Sequence, residues 1–185
     1  SNDSSQCGAI VTWSLPTATD NCVTPSVTNS DNSGDFFGVG NHTVTFTFSD
    51  TSGNSTDCVF DITVTDDESP MLTNCPQDIL QSNDSSQCGA IVTWSLPTAT
   101  DNCVTPSVTN SDNSGDFFGV GNHTVTFTFS DTSGNSTDCV FDITVTDDES
   151  PVITFCPQDI VSTNDAGDCG AIATWNMPTA TDNCV

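Results

Sequence analysis

Along residues 123–130 every second position is apolar: Val125, Phe127 and Phe129 alternate with Thr124, Thr126 and Thr128. A period of two puts one side of a strand in a core and the other in water. Residues 139–146 repeat the pattern, with Cys139, Phe141, Ile143 and Val145 on one face and Val140, Asp142, Thr144 and Thr146 opposite. Residues 88–94 set Ala90, Val92 and Trp94 on one face, so Trp94 reads as a core residue. No stretch carries the 3.6-residue period of a helix. Between the strands lie turn formers. Residues 95–102, with Pro97 and Asp101-Asn102, read as a loop, and 113–116 and 131–135 as turns. Residues 147–151 end on Pro151, which has no N–H to give a ladder. The pattern predicts an all-β chain of immunoglobulin-like antiparallel β-sandwich domains.

The elements recur. Residues 1–70 return unchanged as residues 82–151, a period of 81. A third copy begins in register with changes, Ser4, Ser5 and Gln6 becoming Ala166, Gly167 and Asp168, and Leu15 becoming Met177. The expected division is 1–67, a repeat lacking its first strand; 68–148, a complete repeat; and 149–185, the start of a third. An 81-residue sandwich has a thin core and calls for covalent staples. Two arrangements fit ragged ends: an excerpt of a longer array, which the sequence favours, or a head-to-tail polymer built by strand addition. Either gives a linear filament with a rise on the order of 35–45 Å per domain.

The chain holds 25 acidic residues and no Lys or Arg. That balance excludes a basic nucleic-acid footprint and attachment to anionic lipid. No apolar run has membrane-spanning length. The lack of Lys also removes Lys–Asn cross-links, leaving disulfides as the covalent option. Cys7, Cys22, Cys58 and Cys75 recur as Cys88, Cys103, Cys139 and Cys156, followed by Cys169 and Cys184. Four per period suits a disulfide framework and an oxidising, extracellular setting. Zinc is a poor alternative, because C-x-x-C is absent and each copy has one His, His42 or His123. Each His stands at a strand entry without a partner nucleophile, so the chain is not expected to be an enzyme.

Several further runs have a shared order. These are Cys75-Pro76, Cys88-Gly89-Ala90, Trp94, residues 97–102 (Pro-Thr-Ala-Thr-Asp-Asn), 117–121 (Phe-Phe-Gly-Val-Gly), 131–135 (Asp-Thr-Ser-Gly-Asn) and Cys139-Val140-Phe141. Taken together they resemble the hyalin repeat (HYR) domain across a whole repeat. The resemblance implies an immunoglobulin-like fold and extracellular roles in adhesion or matrix. Ser150-Pro151 departs from the Pro-Pro pair common at that place.

Calcium is the leading site hypothesis, because Asp/Asn-rich loops supply the six to eight oxygens Ca²⁺ takes. In such a sandwich the linker from the preceding repeat and two loops share one end. That gathers Asp66, Asp67 and Glu68 with Asp101, Asn102, Asp131 and Asn135. The next junction gathers Asp147, Asp148 and Glu149 with Asp182 and Asn183. Asn-x-Ser/Thr acceptors stand at Asn2, Asn41, Asn54, Asn83, Asn122 and Asn135. The expected disulfides are Cys75–Cys139 and Cys88–Cys103, with Cys7–Cys22 and Cys169–Cys184 following the second rule. The second rule requires residues 95–102 to fold back along the strand that Cys88 opens. The preferred function is an extracellular rod or filament, an adhesin stalk or surface fibre. Its partners are neighbouring repeats head to tail and further copies. The rival is a multivalent module binding a glycan or surface protein, for which Phe36 and Phe37 (Phe117 and Phe118) are the available loop aromatics.

Overall fold

A computed structural model describes residues 1–184. Fifteen strands follow in chain order: β1 (Gly8–Ile10), β2 (Ser26–Asn29), β3 (Phe36–Gly38), β4 (Gly40–Ser49), β5 (Ser55–Val64), β6 (Met71–Asn74), β7 (Ile79–Ser82) and β8 (Gly89–Ile91). After them come β9 (Thr98–Thr100), β10 (Ser107–Asn110), β11 (Phe117–Gly119), β12 (Gly121–Ser130), β13 (Ser136–Thr146), β14 (Val152–Phe155) and β15 (Thr179–Thr181). The fold class is all-β, and no helix occurs among the described residues. The chain divides into two compact units that cut across the sequence repeats. The first comprises Ser1–Cys75, Pro97–Asn110 and Phe127–Cys139; the second comprises Pro76–Leu96, Ser111–Thr126 and Val140–Val185.

In the first unit β2, β4 and β5 form an antiparallel sheet, and β1 pairs with β3. The alternating strands set the layers. Val44, Phe46 and Phe48 of β4 and Ile62 and Val64 of β5 are buried against Ala9 of β1 and Phe37 of β3, with Trp13 and Phe60 packed alongside. On the wet face, cross-strand hydrogen bonds join Thr43 to Asp61 at 2.8 Å and Thr47 to Asp57 at 2.7 Å. Phe36 is the outward member of its pair, and its ring covers Gly8 so closely that a Cβ there would lie 2.4 Å from Cζ. The exposed aromatic therefore has a structural contact of its own, while half of it faces solvent. His42 is equally committed, with Nε2 2.8 Å from the Gly38 carbonyl and its ring edge-on to Phe37.

In the second unit β8 pairs with β11, and β7 runs parallel to β13 over Ile143–Thr146. Val92, Val125, Phe141, Ile143 and Val145 are buried, the face expected from the alternation. Trp94 is half-buried, edge-on to Phe141 at 5.4 Å and tilted against Phe118 at 6.1 Å. β14 pairs with β15 in the register that β6 and β9 use in the first unit: Val152 faces Thr181 as Met71 faces Thr100. Around these last two strands apolar side chains stand open, Ile172 at 85% and Trp175 at 61% exposure.

Two expectations need correction. Residues 98–100 are a strand and not loop: β9 pairs with β6, with Thr73 bonded to Thr98 across the pair. The alternation Thr-Ala-Thr, with Ala99 half-buried between exposed threonines, suits an edge strand. This strand determines the second correction. β9 pairs with β6, and the turn that follows it lies beside the linker, where Asn102 bonds Glu68. Cys103 instead bonds Cys7, with Cα atoms 4.6 Å apart, and Cys88 bonds Cys184, at 4.7 Å. The pairings Cys7–Cys22, Cys88–Cys103 and Cys169–Cys184 do not occur; Cys22 and Cys169 are free thiols. Cys75–Cys139 forms as expected, its Cys139 end 1% exposed in line with Phe141. Cys58 and Cys156 are also free.

Candidate metal centre

The first unit brings a linker and a loop into one acidic corner. Asp66 stands two residues past the end of β5 and is 8% exposed. Its Oδ1 accepts from Asn2 Nδ2 at 3.3 Å and from the Glu68 N–H at 3.3 Å; its Oδ2 accepts from Ser133 Oγ at 3.2 Å. Glu68 accepts from the Ser5 N–H, from Asn2 Nδ2 and from Asn102 Nδ2 at 2.5 Å. Asp101 leaves β9 and caps the turn behind it, its Oδ1 accepting from the Cys103 N–H at 2.9 Å. That turn, a common Asx geometry, aims the second carboxylate oxygen inward. Carboxylate oxygens of Asp66 and Asp101 and the Cys103 sulfur lie within 4.8 Å of one another. The sulfur belongs to the Cys7–Cys103 bond and is not a thiolate.

Two oxygens in this corner are buried and receive no hydrogen bond: Asp101 Oδ2 and Asn102 Oδ1. A buried acceptor without a donor costs about 1–3 kcal/mol, more when charged. The chain supplies no Lys or Arg that could answer them. Next to them opens a groove of about 710 Å³, walled by Glu68, Pro70, Met71, Leu72, Asp101 and Asn102. The donor set is all oxygen and anionic, which fits a hard divalent cation.

The other expected ligands have different places. Asp67 is exposed, and only its N–H reaches the corner, to Asn2 Oδ1 at 3.4 Å. Asp131 caps its own turn, accepting from the N–H groups of Ser133, Gly134 and Asn135 at 2.7–2.9 Å. Burial pushes its carboxyl up, but the bonds from the Asn135 side chain and these N–H groups outweigh it and hold Asp131 below the usual aspartate range. Asn135 turns its nitrogen inward, donating to the Asp66 carbonyl at 3.2 Å and to Asp131 Oδ2 at 2.7 Å. Asn2, expected only as a glycan acceptor, and the Gln6 carbonyl, which accepts from Asn102 Nδ2 at 3.0 Å, are members that the sequence did not assign to this corner.

The second unit repeats the corner in part. Oxygens of Asp147 and Asp182 lie within 4.8 Å of each other and of the Cys184 sulfur. Asn183 Nδ2 donates to the Gln87 carbonyl at 2.7 Å, and Glu149 accepts from the Ser86 N–H at 2.9 Å. The Asp148 N–H reaches Asn83 Oδ1 at 3.2 Å, as Asp67 reaches Asn2. Asp147 is exposed where Asp66 is buried. In the first unit Ser133 and Asn135 bond Asp66 and cover it.

The profile of the HYR domain matches residues 3–64 and again 65–145, most of the sequence. The chain belongs to the HYR domain family. It is 38% identical over 179 residues to hyalin of Strongylocentrotus purpuratus and 36% identical over 180 residues to hyalin of Lytechinus variegatus. These alignments cover 93% and 95% of this chain but only 15% and 34% of the relatives. Among solved structures, a protocadherin gammaB7 EC3-6 cis-dimer aligns with 80% of this chain and 51% of its own at 14% identity, with a TM-score of 0.35.

The HYR repeats treat their six sequons unequally. A glycan would attach to the side-chain nitrogen, and Asn2 and Asn83 are each 8% exposed with that nitrogen in use, on Gln6 and Gln87 carbonyls among others. Asn135 spends both of its N–H bonds on Asp66 and Asp131, and glycosylation would remove one. Asn54 is exposed but donates to Asp50 Oδ2 at 2.7 Å. Asn41 and Asn122 are exposed on β4 and β12 and use their oxygens, accepting from Thr63 and Thr144.

Proposed function

We propose that these HYR repeats form part of an extracellular adhesion or matrix protein in which repeats follow head to tail as a rod or filament, each junction holding Ca²⁺. One observation carries the cation: Asp101 Oδ2 and Asn102 Oδ1 are buried without donors beside Asp66 and Glu68. A divalent ion would answer the lone pairs and neutralise carboxylates that no basic side chain can meet. Asp66, Glu68, Asp101 and the Asn102 oxygen would hold it, with water completing the shell. Three disulfides support an oxidising, extracellular setting.

The role is architectural. An ion joining the linker 66–70 to the loop 101–103 would stiffen the passage from one repeat to the next, and identical repeats would act as interchangeable spacers. The test is thermal unfolding in chelator and in millimolar Ca²⁺. Binding to the native state alone raises stability by about 2.7 kcal/mol at a hundredfold excess over Kd. A rise in Tm with Ca²⁺ supports the reading; identical Tm values in Ca²⁺ and chelator refute it.

A further inference from the structure

The disulfide pattern has a consequence that does not depend on the cation. Cys7–Cys103 and Cys88–Cys184 each span 96 residues, whereas the sequence period is 81. A span of 96 over a period of 81 makes successive loops overlap by 15 peptide bonds, those between Cys88 and Cys103. We propose that consecutive repeats are interlocked by these overlapping loops. The protein then remains one covalent object after a cut at any peptide bond between Cys7 and Cys184, and tension bypasses most of its backbone.

The connectivity follows from position. Every peptide bond from 7 to 103 lies inside the first loop and every one from 88 to 184 inside the second. Cys75–Cys139 bridges the middle again. Pairing within a repeat, as in Cys7–Cys22, would leave long stretches unspanned. A pull on the two ends would run from Cys7 across to Cys103, back along 15 residues to Cys88, and across to Cys184. Fully extended, 15 residues reach about 50 Å, whereas the whole backbone between Cys7 and Cys184 would reach about 600 Å. Unfolding a repeat therefore adds almost no length. The absence of Lys and Arg removes the residues that trypsin-like proteases cut after, and the interlock makes other single cuts harmless to continuity.

The sequence provides the test, because Glu68 and Glu149 are its only glutamates. The oxidised chain, free thiols first blocked with an alkylating agent at acid pH, is unfolded in urea without reductant and digested with a Glu-specific protease. Reduction must then release residues 1–68, 69–149 and 150–185, which proves that both cuts occurred. The unreduced digest is expected to keep the mass of the intact chain plus two waters. Cys7→Ala should free 1–68 without reductant, and Cys184→Ala should free 150–185. Separation of the three pieces from the unreduced wild type would overturn the proposal. So would retention of 1–68 in Cys7→Ala, which would mean that another bond joins them. Neither outcome bears on calcium, so this test and the thermal test fail independently.

Discussion

Removal of the buried Cys75–Cys139 bond gives a prediction whose size comes from chain length. The bond spans 64 residues. The chain-entropy relation gives about 14.5 cal/mol/K for a loop of that length, or about 4 kcal/mol at 25 °C. An 81-residue domain has a total stability of roughly 4–12 kcal/mol, so the bond accounts for a third of it or more. The perturbation is the double variant Cys75→Ala/Cys139→Ala. Cys139 is 1% exposed beside Phe141, so loss of its sulfur also leaves a small void and adds to the cost. The assay is urea unfolding followed by Trp fluorescence, with Trp13 and Trp94 packed on Phe37 and Phe141 as reporters. With an m-value on the order of 2 kcal/mol/M, the midpoint should fall by about 2 M. Midpoints within about 0.5 M of each other would refute the view that this thin sandwich depends on its internal staple.

Phe141→Ala, at a side chain 2% exposed, should cost about 3–5 kcal/mol in the same assay, whereas Val140→Ala, at a residue 52% exposed on the opposite face, should cost little. Asp131 is held below its ordinary value in the fold, so the stability it contributes is present above the unfolded-state pKa and is lost as pH falls through the lower native one. Asp131→Asn should flatten the acid limb of a plot of stability against pH. Expression in a glycosylating host should add glycans at Asn41 and Asn122 and none at Asn2 or Asn83, read by peptide mass spectrometry.

The strands were legible because alternation is a local signal. Val125, Phe127 and Phe129, and likewise Cys139 through Val145, take the buried face that a period of two assigns them. The acidic corner was legible in part for a topological reason: a linker and a loop at one end of a sandwich must meet, and Asp66, Glu68, Asp101 and Asn102 do. Asp131 and Asn135 were assigned there by the same argument, but sequence does not say whether an Asp in a turn faces outward or bonds its own backbone. The capping bonds to residues 133–135 decided it. The disulfide register was hidden by the perfect repeat. With identical copies, Cys88 in its own repeat and Cys7 in the one before occupy the same register, and the structure joins Cys103 to Cys7. A clue lay in Thr98-Ala99-Thr100, a short alternation inside a run dominated by turn residues.

The central claim is that the junction corner holds a divalent cation, and calorimetric titration with Ca²⁺ tests it most directly. Wild type and Asp101→Asn should be compared after exhaustive chelation. Asn keeps an oxygen to cap the Cys103 N–H while removing the charge and the unanswered Oδ2 of Asp101. The wild type is expected to bind Ca²⁺ saturably, with the tightest event weakened at least tenfold by Asp101→Asn. No saturable heat in the wild type, or binding unchanged by the substitution, would contradict it.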